Sequence, residues 1–209
     1  MRRIWDITPS VSAVSPVFPG DTPFQVLWNE RINDGGVANV STLHMTPHVG
    51  AHVDAPMHLD GAAMDVSALR LETFLGRCRV IDLSNHEGFD PIEPEELEGK
   101  LTCERILLKT RRTIPAGWTN DFRSVSPAAV RLMKESGVFL IGLDMPSIDT
   151  AESELLPSHR IALMNGISII ENLDLRNIRA GQYELIALPL RLEGVEASPV
   201  RAILRSLTR

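Results

Sequence analysis

Cysteine is scarce in this chain. Cys78 and Cys103 are the only two, too few for a disulfide framework and not in CxxC spacing, so both read as small buried residues in a reducing cytoplasm. Basic clusters are missing as well: the formal net charge is −6 and no run of lysine or arginine concentrates positive charge. Nucleic acid is therefore excluded as an expected partner, because phosphate binding needs a concentrated positive surface. No apolar stretch approaches the ~18 residues needed to span a bilayer. The opening MRRIWDITPSV has two arginines but then meets Asp6 and Pro9 in place of an apolar segment, so neither a signal peptide nor a membrane partner is expected. Repeats, low-complexity tracts and linkers are also lacking, which leaves residues 1–209 as a single domain. A chain of this length can bury a core without structural metal, so any metal is free for catalysis.

Histidine and aspartate are concentrated in one place. Residues 48–58 read HVGAHVDAPMH, with His48, His52, Asp54 and His58 inside eleven positions. A helix would scatter them, since Asp54 would lie far around the wheel from both His48 and His52. Pro47 and Pro56 bracket the stretch, and Ala55 before a proline is pushed toward extended geometry. In a strand, His52 and Asp54 share a face roughly 6 to 7 Å apart, whereas His48 would lie about 13 Å along. The chain must bend between them, and Gly50 permits it. Two imidazoles and a carboxylate suit zinc or a similar divalent ion and leave room for water. His58 lies beyond Pro56 and off the strand, better placed as a proton shuttle than as a ligand.

The stretch HVGAHVDAPMH resembles the His-x-Gly-[Thr/Ala]-His-x-Asp-x-Pro-x-His signature of the metal-dependent cyclase hydrolases, the family that includes the bacterial kynurenine formamidases. FPGDTPF (18–24), GLDMPSID (142–149) and SHRIALMNGISIIENL (158–173) extend the resemblance over nearly the whole chain. The resemblance implies an α/β domain of the swivelling β/β/α type, and it aligns His159 and Glu171 with further metal ligands. With Asp54 and Glu171 available to bridge, the set suggests two divalent ions, zinc first, with manganese or cobalt possible. The implied reaction is hydrolysis of N-formyl-L-kynurenine to L-kynurenine and formate, in tryptophan degradation. Phe18 aligns with a residue that contacts the substrate's aromatic ring and is often tryptophan in kynurenine formamidases; phenylalanine keeps the aromatic face and loses the indole donor. A homodimer is implied too, in keeping with the proline-rich arm. Two alternatives stay open: a sister hydrolase opening another cyclic or aryl amide such as isatin, and a non-catalytic metal or small-molecule binder. A serine mechanism is set aside, because Gly166-Ile-Ser168-Ile-Ile lacks the closing glycine of a nucleophile elbow.

Element by element, residues 1–24 read as an extended arm that begins with a strand-like IWDIT. Phe24–Asn29 and Val37–Met45 form a hairpin around Asn33-Asp34-Gly35-Gly36, with His44 assigned no chemistry. Residues 66–75 give a loose helical pattern, Cys78–Leu83 a buried strand and Pro94–Leu101 a short acidic helix. Arg105–Thr110 reads as a central strand, Ser126-Pro127 starts a helix that runs to Ser136, and Val138–Leu143 is an apolar strand. It delivers Asp144 and Asp149, either as turn residues or as carboxylates that orient ligating histidines. A helical turn to Met164, a strand from Ile167 to Ile170, a strand from Glu184 to Leu190 and a terminal helix from Val200 to Leu207 complete the chain. The fold class is α/β, with a central mixed twisted sheet or partly closed barrel and flanking helices.

Overall fold

The computed structural model describes residues 2–207; Met1, Thr208 and Arg209, which belong to the expected domain, lie outside the described residues. The strands are β1 (Ile4–Asp6), β2 (Gln25–Glu30), β3 (Val40–His44), β4 (His52–Asp54), β5 (Leu75–Asp82), β6 (Arg105–Lys109), β7 (Leu140–Leu143), β8 (Ser168–Glu171), β9 (Gly181–Ile186), β10 (Ala197–Pro199) and β11 (Ile203–Arg205). Three α-helices lie between them: α1 (Pro94–Leu97), α2 (Pro127–Glu135) and α3 (Pro157–Met164).

Nine strands form one sheet in the order β1-β11-β9-β5-β6-β7-β8-β4-β10. The pairs β5-β6, β6-β7 and β7-β8 are parallel, and the remaining pairs are antiparallel. The central β6 and β7 are buried at every residue, as continuous apolar runs demand when both faces of a sheet are covered. Ile106 and Leu108 point to one face with Ile141, Leu143 and Ile169, under Val130 and Met133 of α2 and Ala162 and Leu163 of α3. Leu107 points to the other face and packs with Leu140, Ile170, Val53, Leu185 and Leu204. That second core draws side chains from both ends of the sheet, so the sheet curls over it.

Chain connectivity enforces the curl. β10 lies on one edge and β11 next to the other, yet only residues 200–202 join them, a link that spans at most roughly 14 Å between strand ends. The backbone N–H of Val200 donates to Ala51 O at 2.9 Å beside one edge, and Ile7 N–H donates to Ala202 O at 3.0 Å beside the other. The result is a half-barrel with α2 and α3 on its outer face, in agreement with the expected partly closed mixed sheet.

Local rules explain most elements. Ser126 caps α2 by accepting from Ala129 N–H, with Pro127 in the first turn, and Ala129, Val130 and Met133 form its buried stripe. The expected strand Glu184–Leu190 is shifted to β9, Gly181–Ile186, and two expected helices fail. Residues 66–75 form two 3₁₀ turns, Val66–Ala68 and Leu71–Phe74, because each anchors one buried side chain, Val66 or Phe74, and neither is long enough to nucleate an α-helix. The expected terminal helix is instead β11: it pairs with β1 and β9 on either side, with Leu204 buried. Two waiting strand edges satisfy its backbone groups, which outweighs a weak helical pattern.

The hairpin β2-β3 is antiparallel with a bulge between Trp28 and Glu30. It forms a separate two-stranded sheet, and Leu27, Trp28 and Leu43 are exposed on it. The strand-like start of the arm becomes β1, an edge strand of the main sheet. Farther along, Thr46 N–H donates to Thr22 O at 2.9 Å and Thr46 Oγ1 donates to Asp21 Oδ2 at 3.3 Å. These bonds tie the arm to the chain just before His48.

Candidate metal centre

The register of β4 on β8 builds the centre. His52 lies directly opposite Glu171, which brings the two side chains to the same face as close neighbours. Asp54 follows two residues on, on that same face. His52 Nε2 is 3.5 Å from Glu171 Oε2 and 3.6 Å from Asp54 Oδ1. His159 enters from the first turn of α3, its Nε2 3.4 Å from Glu171 Oε1 and 3.7 Å from Asp54 Oδ2. Each carboxylate thus turns one oxygen toward His52 and the other toward His159. The chain bends at Gly50, where φ is +70° and an added Cβ would meet Val11 Cγ2 at 2.5 Å. The bend returns His48 to the cluster, with Nδ1 3.3 Å from Asp54 Oδ1.

Each of these three histidines is oriented through its other ring nitrogen. His52 Nδ1 bonds Gly50 O at 2.9 Å, His159 Nδ1 bonds Asp149 Oδ2 at 2.8 Å, and His48 Nε2 bonds Glu196 Oε1 at 3.2 Å. Such partners fix tautomer and ring direction and leave the inward nitrogen free to coordinate. His52 Nε2 and both oxygens of Asp54 are buried without a hydrogen-bond partner. Orphaned polar atoms at such density are costly unless a cation completes them. A borderline divalent ion fits this set of imidazole and carboxylate donors. Ligand atoms of His52, Asp54 and Glu171 lie within 4.8 Å of one another, as do those of His48, Asp54 and His58. His58 stands between two other imidazoles, its ring centroid 4.8 Å from that of His48 and 5.6 Å from that of His159.

The electrostatics follow from this crowding. Burial opposes charge on Asp54, but His159, His48 and His52 outweigh it and hold the carboxyl well below its usual range. Burial likewise disfavours a charged His48, yet Asp54, Glu171 and Glu196 push it up to about 9. His159 is raised despite burial, chiefly by Asp149 and then by Asp54 and Glu171. His58 goes the other way: burial lowers it, helped by His48 and His159 and opposed by Asp54 and Glu171. Its imidazole is therefore neutral near pH 7.

The sequence model of the Cyclase family ("Putative cyclase") matches residues 5–150. The chain belongs to this family. Among its relatives, the kynurenine formamidase of Bordetella petrii is 46% identical over 210 residues, covering 99% of this chain and 100% of that protein. In fold, the chain is similar to a solved structure described as a "Potential Metal-Dependent Hydrolase With Cyclase Activity", with TM-score 0.85 at 24% identity and full coverage of both chains. It is also similar to isatin hydrolase A from Labrenzia aggregata, with TM-score 0.84 at 22% identity over 99% of this chain and 94% of that one.

In this cyclase-family chain the centre lies in the wall of a cleft of about 440 Å³ that is also lined by Phe18, Trp118 and Glu196. Phe18 and Trp118 meet edge to face, centroids 5.1 Å apart and planes at 75°. Sequence reasoning missed Trp118, which sits in an irregular loop with no periodic pattern. It also missed Glu196, which the pairing of Ala197 with Asp54 carries to the centre; a lone glutamate in a turn-rich segment gives no signal. The two aspartates left open in the sequence now separate. Asp149 accepts from Ser158 N–H and His159 N–H as well as orienting the His159 ring. Asp144 accepts from Thr110 N–H, Thr110 Oγ1 and Arg111 N–H, so it braces the end of β6.

Proposed function

We propose that this chain hydrolyses N-formyl-L-kynurenine to L-kynurenine and formate with two divalent ions, zinc first and manganese or cobalt as substitutes. The observation that carries this reading is the split arrangement of Asp54 and Glu171, one oxygen of each toward His52 and the other toward His159. Full-length similarity to a kynurenine formamidase supports the choice of substrate. His48 and His52 would hold one ion and His159 the other, with Asp54 and Glu171 available to both. When bound, such a pair polarises a carbonyl oxygen and makes hydroxide available near neutral pH.

The protein's own groups do the rest. Phe18 offers its ring to the substrate's aryl ring, with Trp118 beside it. His58, neutral and within reach of the cluster, takes the proton from the attacking water as the O–C bond forms. It then delivers that proton to the aryl nitrogen as the C–N bond breaks, so that the amine leaves neutral and the formic acid left behind gives up its remaining proton to solvent as formate. Steady-state assays test the substrate: N-formyl-L-kynurenine should be turned over and isatin should not, and preference for isatin would move the chain to the sister activity.

Residues 1–209 act as one cytoplasmic hydrolase domain with 1–24 as its arm, and two copies associate. Val26, Trp28 and Leu43 are exposed on one face of the hairpin and support a dimer, since clustered apolar surface marks interaction sites.

Metal binding should also release protons. In the metal-free fold His48 is raised from 6.5 to about 9, so its protonated form contributes stability that is complete below 6.5 and lost as pH rises through about 9. An ion on this imidazole must displace that proton. Calorimetric titration with zinc at pH 7, in buffers of different ionisation enthalpy, should show net proton release, and apparent affinity should fall toward pH 6. Buffer-independent heats and a flat pH profile would contradict the assignment of His48.

A further inference from the structure

Beside the main cleft lies a second cavity of about 100 Å³. Pro16 and Asn172 border both spaces, so the two cavities are neighbours. Asn172 directly follows Glu171 and turns the chain with φ +57°, a left-handed conformation that asparagine tolerates. Arg111 borders the small cavity. Its Nη2 is buried with no hydrogen-bond partner, and its guanidinium lies 5.9 Å from the centre of the Phe122 ring. Asp144 borders the cavity too, but its oxygens already accept from Thr110 N–H, Thr110 Oγ1 and Arg111 N–H. A half-buried guanidinium whose enclosed nitrogen has an unused donor is destabilising until an anion or water completes it.

The main cleft has the opposite character. Asp21, Glu171 and Glu196 line it, and among the described residues that do so there is no lysine or arginine. N-formyl-L-kynurenine carries a free carboxylate at the end of its side chain away from the formamide, and the cleft lining has no guanidinium or ammonium group to receive it. We propose that Arg111 and its cavity form the recognition site for the substrate's carboxylate, reached past Pro16 and Asn172. The inference rests on the reading above, that an aryl formamide is hydrolysed in the cleft. A guanidinium fork is suited to it, because it can grip both oxygens of a carboxylate.

The test compares N-formyl-L-kynurenine with formanilide, an aryl formamide that has no carboxylate. Arg111→Met should raise KM for the first about 10- to 100-fold with little change in kcat, the cost of a lost charge-assisted hydrogen bond. It should leave kcat/KM for formanilide within about threefold of wild type, and Arg111→Lys should fall between the two because it keeps charge without the fork. Equal losses on both substrates would make Arg111 structural, and an unchanged KM would mean that water fills the cavity; either overturns the proposal. If Arg111→Met fails to fold, inhibition of the wild-type enzyme decides: L-kynurenine should bind at least about tenfold more tightly than its carboxamide, and equal inhibition overturns the site. Wild-type protein that hydrolyses neither formamide refutes the formamidase reading itself, and this inference with it, a failure distinct from the others.

Discussion

Asp54→Ala should abolish measurable hydrolysis and empty the whole centre, not half of it. Asp54 is buried, its two oxygens face different histidines, and neither oxygen has a hydrogen-bond partner within the protein. Removing it takes one donor from each of the two positions and leaves His48, His52 and His159 around a gap. The expected drop in kcat is on the order of 10⁴-fold or more, since water would keep roughly its bulk pKa in place of a value near 7. Elemental analysis of the purified variant, with circular dichroism to confirm the fold, checks the outcome. Retention of both ions by Asp54→Ala would remove Asp54 as the shared ligand. Glu171→Ala is a less clean test, because Glu171 Oε1 also accepts from Ile148 N–H at 2.9 Å, and its removal leaves that buried donor unpaired.

His58→Ala is expected to separate chemistry from metal binding. Its position is ambiguous by distance alone, because its ring nitrogens come as close to His48 and Asp54 as a ligand's would. What distinguishes it is orientation. His48, His52 and His159 each have a bond behind the ring that aims the inward nitrogen, and burial keeps His58 neutral and ready to accept a proton. Loss of a proton carrier costs on the order of 10²- to 10⁴-fold in kcat, with metal content near wild type. His52→Ala should lose metal instead. If His58→Ala strips the ions as fully as His52→Ala does, His58 is a ligand and another group must carry the proton.

The parts of this centre that are close in sequence were legible there, and the parts that are far apart were not. His52 and Asp54 share a strand face by the two-residue period alone, and Gly50 was identifiable as the bend because a straight strand would carry His48 away. Ser126-Pro127 announced α2, and the apolar runs announced β6 and β7. Glu171 and His159, by contrast, reach the cluster through the β4-β8 register and the packing of α3 on the sheet, which no local pattern encodes; family resemblance supplied them. Glu196 depends in the same way on β10 finding β4. The misread carboxyl end has the same cause. β11 is a strand because two edges of a curled sheet await it, a nonlocal fact that overrides local periodicity.

The most direct test of the two-ion proposal is metal-dependent turnover of N-formyl-L-kynurenine. Protein stripped with chelator should be inactive, and adding back zinc, manganese or cobalt should restore activity in step with bound metal, reaching two ions per chain at full rate. Full turnover by protein shown by elemental analysis to be free of metal would contradict the account.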